Sequence, residues 1–378
     1  MRWVVIAAVL ALTPPAAFGD DEFAGATVIF ARGGSLYRID PKGKNEAEIA
    51  TLGEGKKVVR NLQTDGAGKT LLVDLDGSWQ WMPLDGSAKS LTALSCGDGP
   101  AQLAEDGTCV LCRAPGPAKS GSQIINLASG KQLTIDQAGA RVTGTGADRK
   151  VVWADKDGVW SVAPGLASNR TQAKKVAPDA PLRGFLASPD GSRALGVFSD
   201  EVYVDAHHKK PADVLMGFQL DGEGARRKAI KAGVPLMWSH DSQWVLVQDG
   251  GQACLMHATG GEYKCWRGYT AASISSDGKY GLFLGNRDGS HTQKPEKKDP
   301  KKDKKKPAPK KDVEPKPDAD EPSEAEEGEG GEADVPVPPP SGPLSIFRAR
   351  LEGSAFTESP ALIVKVVDGA AVWVPGTP

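Results

Sequence analysis

The stretch FLASPDGSRALGVF, Phe185 to Phe198, decides the fold. It reads as two short strands joined by a tight turn. Asp or Ser side chains such as Ser188 and Asp190 accept a hydrogen bond from a backbone N–H two residues on, closing an Asx-type turn. Gly191 accepts the positive φ that follows. The residues after it run apolar, as a half-buried strand does. A weaker copy, ASISSDGKYGLFLG, spans Ala272 to Gly285.

Working outward, the same phrase recurs along the chain. QTDGAGKTLLVDL carries Asp65, AEDGTCVLC Asp106, TGADRKVVWA Asp148, SPDGSRALGVF Asp190, SHDSQWVLV Asp241 and SSDGKYGLFL Asp277. The steps between these aspartates are 41, 42, 42, 51 and 36 residues. A second mark follows about eleven residues later in several units, at Asp76-Gly77, Asp157-Gly158 and Asp249-Gly250, with Gly33-Gly34 in the first. Asp-Gly between strand-like runs is a hairpin signal. A third turn follows at Asp85-Gly86, Asp221-Gly222 or Gly260-Gly261. Each unit therefore reads as four strands, a to d, and a period near forty with four strands is that of a β-propeller blade.

Ser188-Pro189-Asp190-Gly191 and Ser275-Ser276-Asp277-Gly278 resemble the repeat of TolB-like, WD-repeat-like propellers. The resemblance covers roughly Ala26 to Arg287 and resumes further on. It implies an all-β propeller. TolB carries an α/β domain ahead of its propeller, whereas ATVIFAR opens the first unit here almost at the expected mature N-terminus. The TolB partner interaction is therefore not carried over.

Six phrases plus an incomplete first unit predict seven blades, with six or eight as alternatives. The first unit lacks an inner strand. AAVWVP, Ala370 to Pro375, would supply it and latch the ring, closing edges that an open sheet exposes. IVKVVDGAAVWVPG reads equally as a b–c hairpin.

Residues 1–19 read as a signal peptide. Arg2 is the positive start and Trp3 to Leu12 the apolar run, too short to span a bilayer with ease. Ala17-Phe18-Gly19 precedes the expected cleavage. No later run is long and apolar enough for a membrane span. A periplasmic or secreted, monomeric protein is expected, of bacterial origin by the signal segment and the resemblance. The net charge of -2 gives no reason to expect nucleic acid as a partner.

Export permits disulfides among the five cysteines. A two-residue turn at Thr259-Gly260 would set Cys254 opposite Cys265, on a hydrogen-bonded pair. Cys96 is expected to pair with Cys112 or with Cys109. Cys109 and Cys112 have redox-motif spacing, but they sit in a strand-like run rather than at a helix.

Blades occupy 20–290, an insertion 291–343, and the rest of the last blade with the closing strand 344–378. Lys294 to Lys316 hold eleven lysines, Asp318 to Asp334 are mostly acidic, and prolines follow. Such a segment buries too little apolar area to offset its ordering entropy, so it is expected to be disordered. SGPLSIFRARLEG resumes as a strand c, which places the insertion between b and c. Two other long stretches are also b–c connections: Ser199 to Asp213, and Arg113 to Gln123. Long loops on a rigid scaffold carry recognition. Tyr203, His207, His208, Lys209 and Lys210, and the lysine of Ala118-Lys119, are thus the candidate binding residues.

Other motifs reduce to turns. Gly66 to Thr70 ends like a phosphate loop, yet a strand follows and Gln63 stands where its first glycine belongs. Asp74 to Gly77 and Asp155 to Gly158 resemble calcium-loop fragments without the downstream carboxylate. Hairpins account for both; weak Ca²⁺ binding is the one cofactor left open. His207-His208 lie beside Lys209-Lys210, whose charge disfavours a metal cation. Most tryptophans are expected to pack between blades, with one or two lining the tunnel. No Gly-x-Ser-x-Gly elbow or Ser/His/Asp set is found, and no catalytic residue is assigned. The expected function is a binding scaffold for an envelope protein or glycan. An enzyme acting on polysaccharide or peptide and a purely structural envelope protein are the alternatives.

Overall fold

The computed structural model describes residues 23 to 376, except 24, 54–57, 117–120, 167–169, 178–180, 182, 204–208, 221–227, 232, 250, 260–262, 287–343 and 351–359. The signal segment and the charged insertion lie outside the described residues.

Hairpin after hairpin builds the chain. The first blade holds β1 (Thr27–Arg32), β2 (Ser35–Ile39) and β3 (Ala47–Thr51). The second holds β4 (Val59–Thr64), β5 (Thr70–Leu75), β6 (Ser78–Pro83) and β7 (Thr92–Ala93). The third holds β8 (Gln102–Leu103), β9 (Cys109–Arg113), β10 (Ser122–Asn126) and β11 (Gln132–Ile135). The fourth holds β12 (Arg141–Thr143), β13 (Lys150–Asp155), β14 (Gly158–Val162) and β15 (Lys174–Ala177). The fifth holds β16 (Arg183–Ala187), β17 (Arg193–Tyr203), β18 (Lys209–Gln219) and β19 (Lys228–Lys231). The sixth holds β20 (Val234–Trp238), β21 (Trp244–Asp249), β22 (Gln252–His257) and β23 (Tyr263–Arg267). The seventh holds β24 (Thr270–Ile274), β25 (Tyr280–Asn286), β26 (Leu344–Arg350) and β27 (Ala361–Val367).

The last strand, β28 (Ala371–Val374), pairs with β1 and becomes the inner strand of the first blade. The described strands thus form seven four-stranded antiparallel sheets, and the chain is a seven-bladed β-propeller. Val372 faces the wedge between the first and second blades, and Trp373 the wedge between the seventh and first.

That alternation explains the whole core. Successive side chains of a strand point to opposite faces of its sheet. Leu71 and Val73 of β5 pack toward the first blade, while Leu72 packs toward the third. Each blade is buried on both faces, so its central strands read as continuous apolar runs rather than alternating ones. Seven separate clusters result, one in each gap between neighbouring blades.

The repeated phrase works by a five-residue hydrogen-bonded loop. Ser188, Ser239 and Ser275 are buried, and each hydroxyl accepts from the N–H five residues on, at 2.8–2.9 Å. Each also donates to the aspartate two residues on, Asp190, Asp241 or Asp277. Asp65 holds the serine's place rather than the aspartate's: its carboxylate accepts from Thr70 N–H, five residues on, at 2.6 Å. The alignment by Asp-Gly is therefore two residues out of step in that blade.

Two disulfides form, Cys96–Cys112 and Cys254–Cys265, and Cys109 is free and buried. Cys109 and Cys112 are an odd number of residues apart on β9, so they face opposite sides. Cys109 looks toward the fourth blade and Cys112 toward the second, where Cys96 waits. Cys254 and Cys265 are opposite, as expected, but on a narrow pair with Cα atoms 4.0 Å apart. Gly268 N–H donates to the Gly251 carbonyl. That fixes the alternation of the ladder and makes Cys254–Cys265 a non-hydrogen-bonded pair, contrary to expectation.

A second correction concerns Ser199 to Asp213. It is not a loop but largely paired strand. β17 and β18 pair at eleven positions, Arg193↔Gln219 through Tyr203↔Lys209, whereas β5 and β6 pair at six. β16 pairs with β17 only as far as Val197, and β19 with β18 only as far as Leu215. The ribbon beyond therefore stands clear of its own sheet. Its sequence is mostly polar and charged, broken mainly by Val202, Tyr203 and Val204, which is why apolar periodicity did not reveal it.

Candidate functional site

The seven inner strands surround a central channel of about 250 Å³. Its walls are built from side chains that also lock the ring. In the second blade, Gln63 on β4 bridges to the third: its amide donates to the Ala101 carbonyl at 2.9 Å and accepts from Leu103 N–H at 3.0 Å. Gln102 on β8 repeats the device on Val142, at 2.9 and 3.0 Å. A glutamine amide presents the same donor and acceptor as a peptide, so it substitutes for strand pairing between adjacent inner edges.

Every other junction also carries a bond. Thr143 Oγ1 donates to the Ser188 carbonyl, and Gly144 N–H to the Pro189 carbonyl at 2.8 Å. Asp190 N–H donates to Ser242 Oγ at 3.0 Å, and Asp241 N–H to the Ser276 carbonyl at 3.0 Å. Trp373 closes the circle. Its N–H donates to Ser273 Oγ and its carbonyl accepts from Thr64 Oγ1, both at 3.1 Å.

At the a–b end of the channel two functional groups meet. Glu105 and His240 each follow the capping position of their turn, in the third and sixth blades, and so face each other across the ring. His240 Nδ1 lies 2.8 and 2.9 Å from the two Glu105 carboxylate oxygens. Both side chains are about one-fifth exposed. Gly66 makes room for this: a Cβ there would lie 2.0 Å from Glu105 Oε1. Gly66 N–H also donates to the Glu105 carbonyl at 2.9 Å, fixing the turn.

Further along the channel is Arg141, the first residue of β12. Burial lowers the pKa of its guanidinium from the usual arginine value. Its one hydrogen bond among the described residues runs from Nε to the Phe185 carbonyl at 3.4 Å, which is long. Trp238 borders the channel, and its ring packs in the wedge between the fifth and sixth blades. The other aromatic rings described above lie in the blade wedges.

The candidate binding residues from the sequence fall elsewhere. Tyr203, Lys209 and Lys210 end the long ribbon, at Tyr203↔Lys209 and Val202↔Lys210. His207, His208 and Ala118-Lys119 lie outside the described residues. Asp74 and Asp155 act as turn acceptors, from Gly77 N–H and Asp157 N–H, both at 2.8 Å. Among the described residues no three His, Cys, Asp or Glu side chains cluster as metal ligands.

Glu105, His240 and Arg141 were not singled out in the sequence. Glu105 and His240 share a repeat column with Gly66, Pro189 and Ser276, the residue after each cap. A repeat alignment anchored on the capping residue, rather than on Asp-Gly, exposes two ionisable groups in that otherwise uncharged column.

No protein-family model matches the chain, and no curated protein matches it. Among solved structures it is similar to TolB from Acinetobacter baumannii, with 12% identity and a TM-score of 0.43. That match covers 64% of this chain and 63% of that one, so the chain spans less than two thirds of it. A TolB-like protein from Agrobacterium tumefaciens matches at 10% identity and TM-score 0.43, over 93% of this chain and 98% of that one. An oligogalacturonate lyase in complex with manganese matches at 15% identity and TM-score 0.47, over 66% and 79%. None of these likenesses assigns a site or a partner.

Proposed function

We propose that this propeller is an exported binding scaffold that presents its b–c face to a protein or glycan of the cell envelope. One observation carries the reading: the two longest excursions, the β17–β18 ribbon and 287–343, both join strands b and c, whereas the longest c–d connections, 163–173 and 351–360, are eleven and ten residues. In the first, second and fourth blades that connection is two residues long, at 33–34, 76–77 and 156–157. In the third, fifth and seventh it is 114–121, the β17–β18 ribbon and 287–343. In an antiparallel blade b–c and d–a connections leave at one end, so all three rise from a single face. The ribbon's five extra pairs, at ~3.3 Å each, project about 16 Å beyond the neighbouring turns. Among the described residues no further strand pairs with the outer edges of Asp200–Tyr203 and Lys209–Ala212, so these edges offer backbone groups to a partner strand.

The test is cross-linking in an envelope fraction with three proteins: full chain, one lacking 291–343, and one with 200–212 replaced by Asn-Gly. Loss of a specific adduct in either variant, at unchanged melting temperature, supports the scaffold. Identical adducts from all three would overturn it.

A second reading, an enzyme acting on polysaccharide or peptide, draws on Glu105 and His240. A carboxylate holding Nδ1 leaves Nε2 for proton transfer. Yet Glu105 is the sole carboxylate among the described channel residues, one short of the pair that most glycosidases use. Turnover of a glycan or peptide library that disappears in His240→Asn would favour this reading over the scaffold.

A further inference from the structure

We propose that the central channel binds a small oxyanion-bearing solute, with Arg141 as the residue that holds the anion. This site is independent of the b–c face.

The charge is in the wrong place for a purely structural arginine. A half-buried guanidinium such as that of Arg141 is normally paired with a carboxylate, because an unpaired charge drawn partly out of water loses hydration without compensation. Arg141 has no carboxylate partner among the described residues, and its terminal amines make no hydrogen bond there. The one acid of the described channel lining, Glu105, is held by His240. Burial lowers the Arg141 pKa, which expresses the same missing counter-charge.

The surroundings suit an anion with an organic body. Asn61, an exposed residue, lines the channel, and its amide makes no hydrogen bond among the described residues. Leu186, Leu236 and Met237 add apolar wall, and Leu236 is 43% exposed. The volume of about 250 Å³ equals the share of roughly eight waters in the liquid. A carboxylate or phosphate ester of a few carbons fits, and a polymer does not. The planar fork of Arg matches either oxyanion through two parallel N–H···O bonds.

Isothermal titration calorimetry of the intact protein with inorganic phosphate, succinate and uncharged succinamide tests this. Saturable one-site heat is expected from at least one anion and none from succinamide; which anion responds separates phosphate from carboxylate ligands. R141Q should weaken that binding by about tenfold or more, with its urea midpoint unchanged or raised. R141K, which keeps the charge but loses the fork, should fall between, and it supplies the readout if R141Q does not fold. Binding of succinamide as tight as succinate, no heat from either anion, or undiminished affinity in both variants would overturn the proposal.

Discussion

Replacing Trp373 by Ala asks whether the ring depends on its last strand. The side chain is 3% exposed. It stacks on Tyr280 with centroids 5.6 Å apart and planes 1° apart, and meets Phe23 at 6.3 Å. Truncating a core Trp to Ala costs ~3–5 kcal/mol through lost transfer energy and the cavity left behind. Native stability is typically ~5–15 kcal/mol, so one residue removes a large fraction of it. The backbone of β28 still bonds to β1, and the Trp373 N–H and carbonyl still reach Ser273 and Thr64, so the loss is of packing alone. Equilibrium urea unfolding, followed by circular dichroism, should give a lower midpoint at unchanged slope. Leu362→Ala is the control. Leu362 is 43% exposed on outer strand β27, and its truncation should stay within ~0.5 kcal/mol. A stability loss of less than ~1 kcal/mol, or one equal to the control's, would refute the packing of Trp373 into the wedge between the seventh and first blades.

Gly66→Ala should shift the Glu105 carboxylate, a flexible side-chain end, at a stability cost of ~1 kcal/mol or less; the NMR chemical shifts of the His240 ring at fixed pH should change, and unaltered shifts would deny the contact. Acid should act through Asp106 and Asp190. Burial pushes the Asp106 carboxyl up, but bonds from Thr108 and the Arg149 guanidinium hold it below the usual carboxylate range. Burial likewise raises Asp190, and donors on Ser188, Ser192 and Ser242 outweigh it. Both folded pKa values lie below the unfolded value near ~3.9, so their stabilisation is full above that pH and is lost as pH falls through the folded values. The acid slope of the urea midpoint should therefore be shallower in Asp190→Asn, and an identical slope counts against it. Finally, without reductant, iodoacetamide should label no cysteine in the native protein and one, Cys109, in denaturant; its burial also raises the thiol pKa. All five should label after reduction, with each bridge having contributed about 3 kcal/mol.

Local chemistry was legible and distant chemistry was not. The Ser188-to-Arg193 turn can be read from sequence because donor and acceptor are five residues apart. Leu71-Leu72-Val73 can be read because a blade buried on both faces needs every residue apolar. The role of Ala371–Val374 stayed ambiguous. Asp368-Gly369 before it is the signal of a hairpin, and only pairing with Thr27–Phe30 at the other end of the chain decides between the readings. Glu105 and His240 are 135 residues apart and meet only because their blades face each other across the ring. Arg141 carries no local signal. Its meaning lies in which carboxylates are missing around it, and that is a property of the closed channel. The ribbon was misread because Pro211 and a run of charges imitate a loop, while its pairing uses backbone rather than an apolar face.

The partnership of β1 and β28 also sets a timetable. At ~5–20 residues per second, synthesis of the roughly 350 residues from one to the other takes on the order of 20–70 s. Throughout that interval Val28 to Ala31, which end wholly buried, have nothing on their inner side. Six blades can be complete while the first stays unzipped. A nascent chain therefore has to keep Val28 to Ala31 from finding another molecule's edge until Ala371–Val374 emerge.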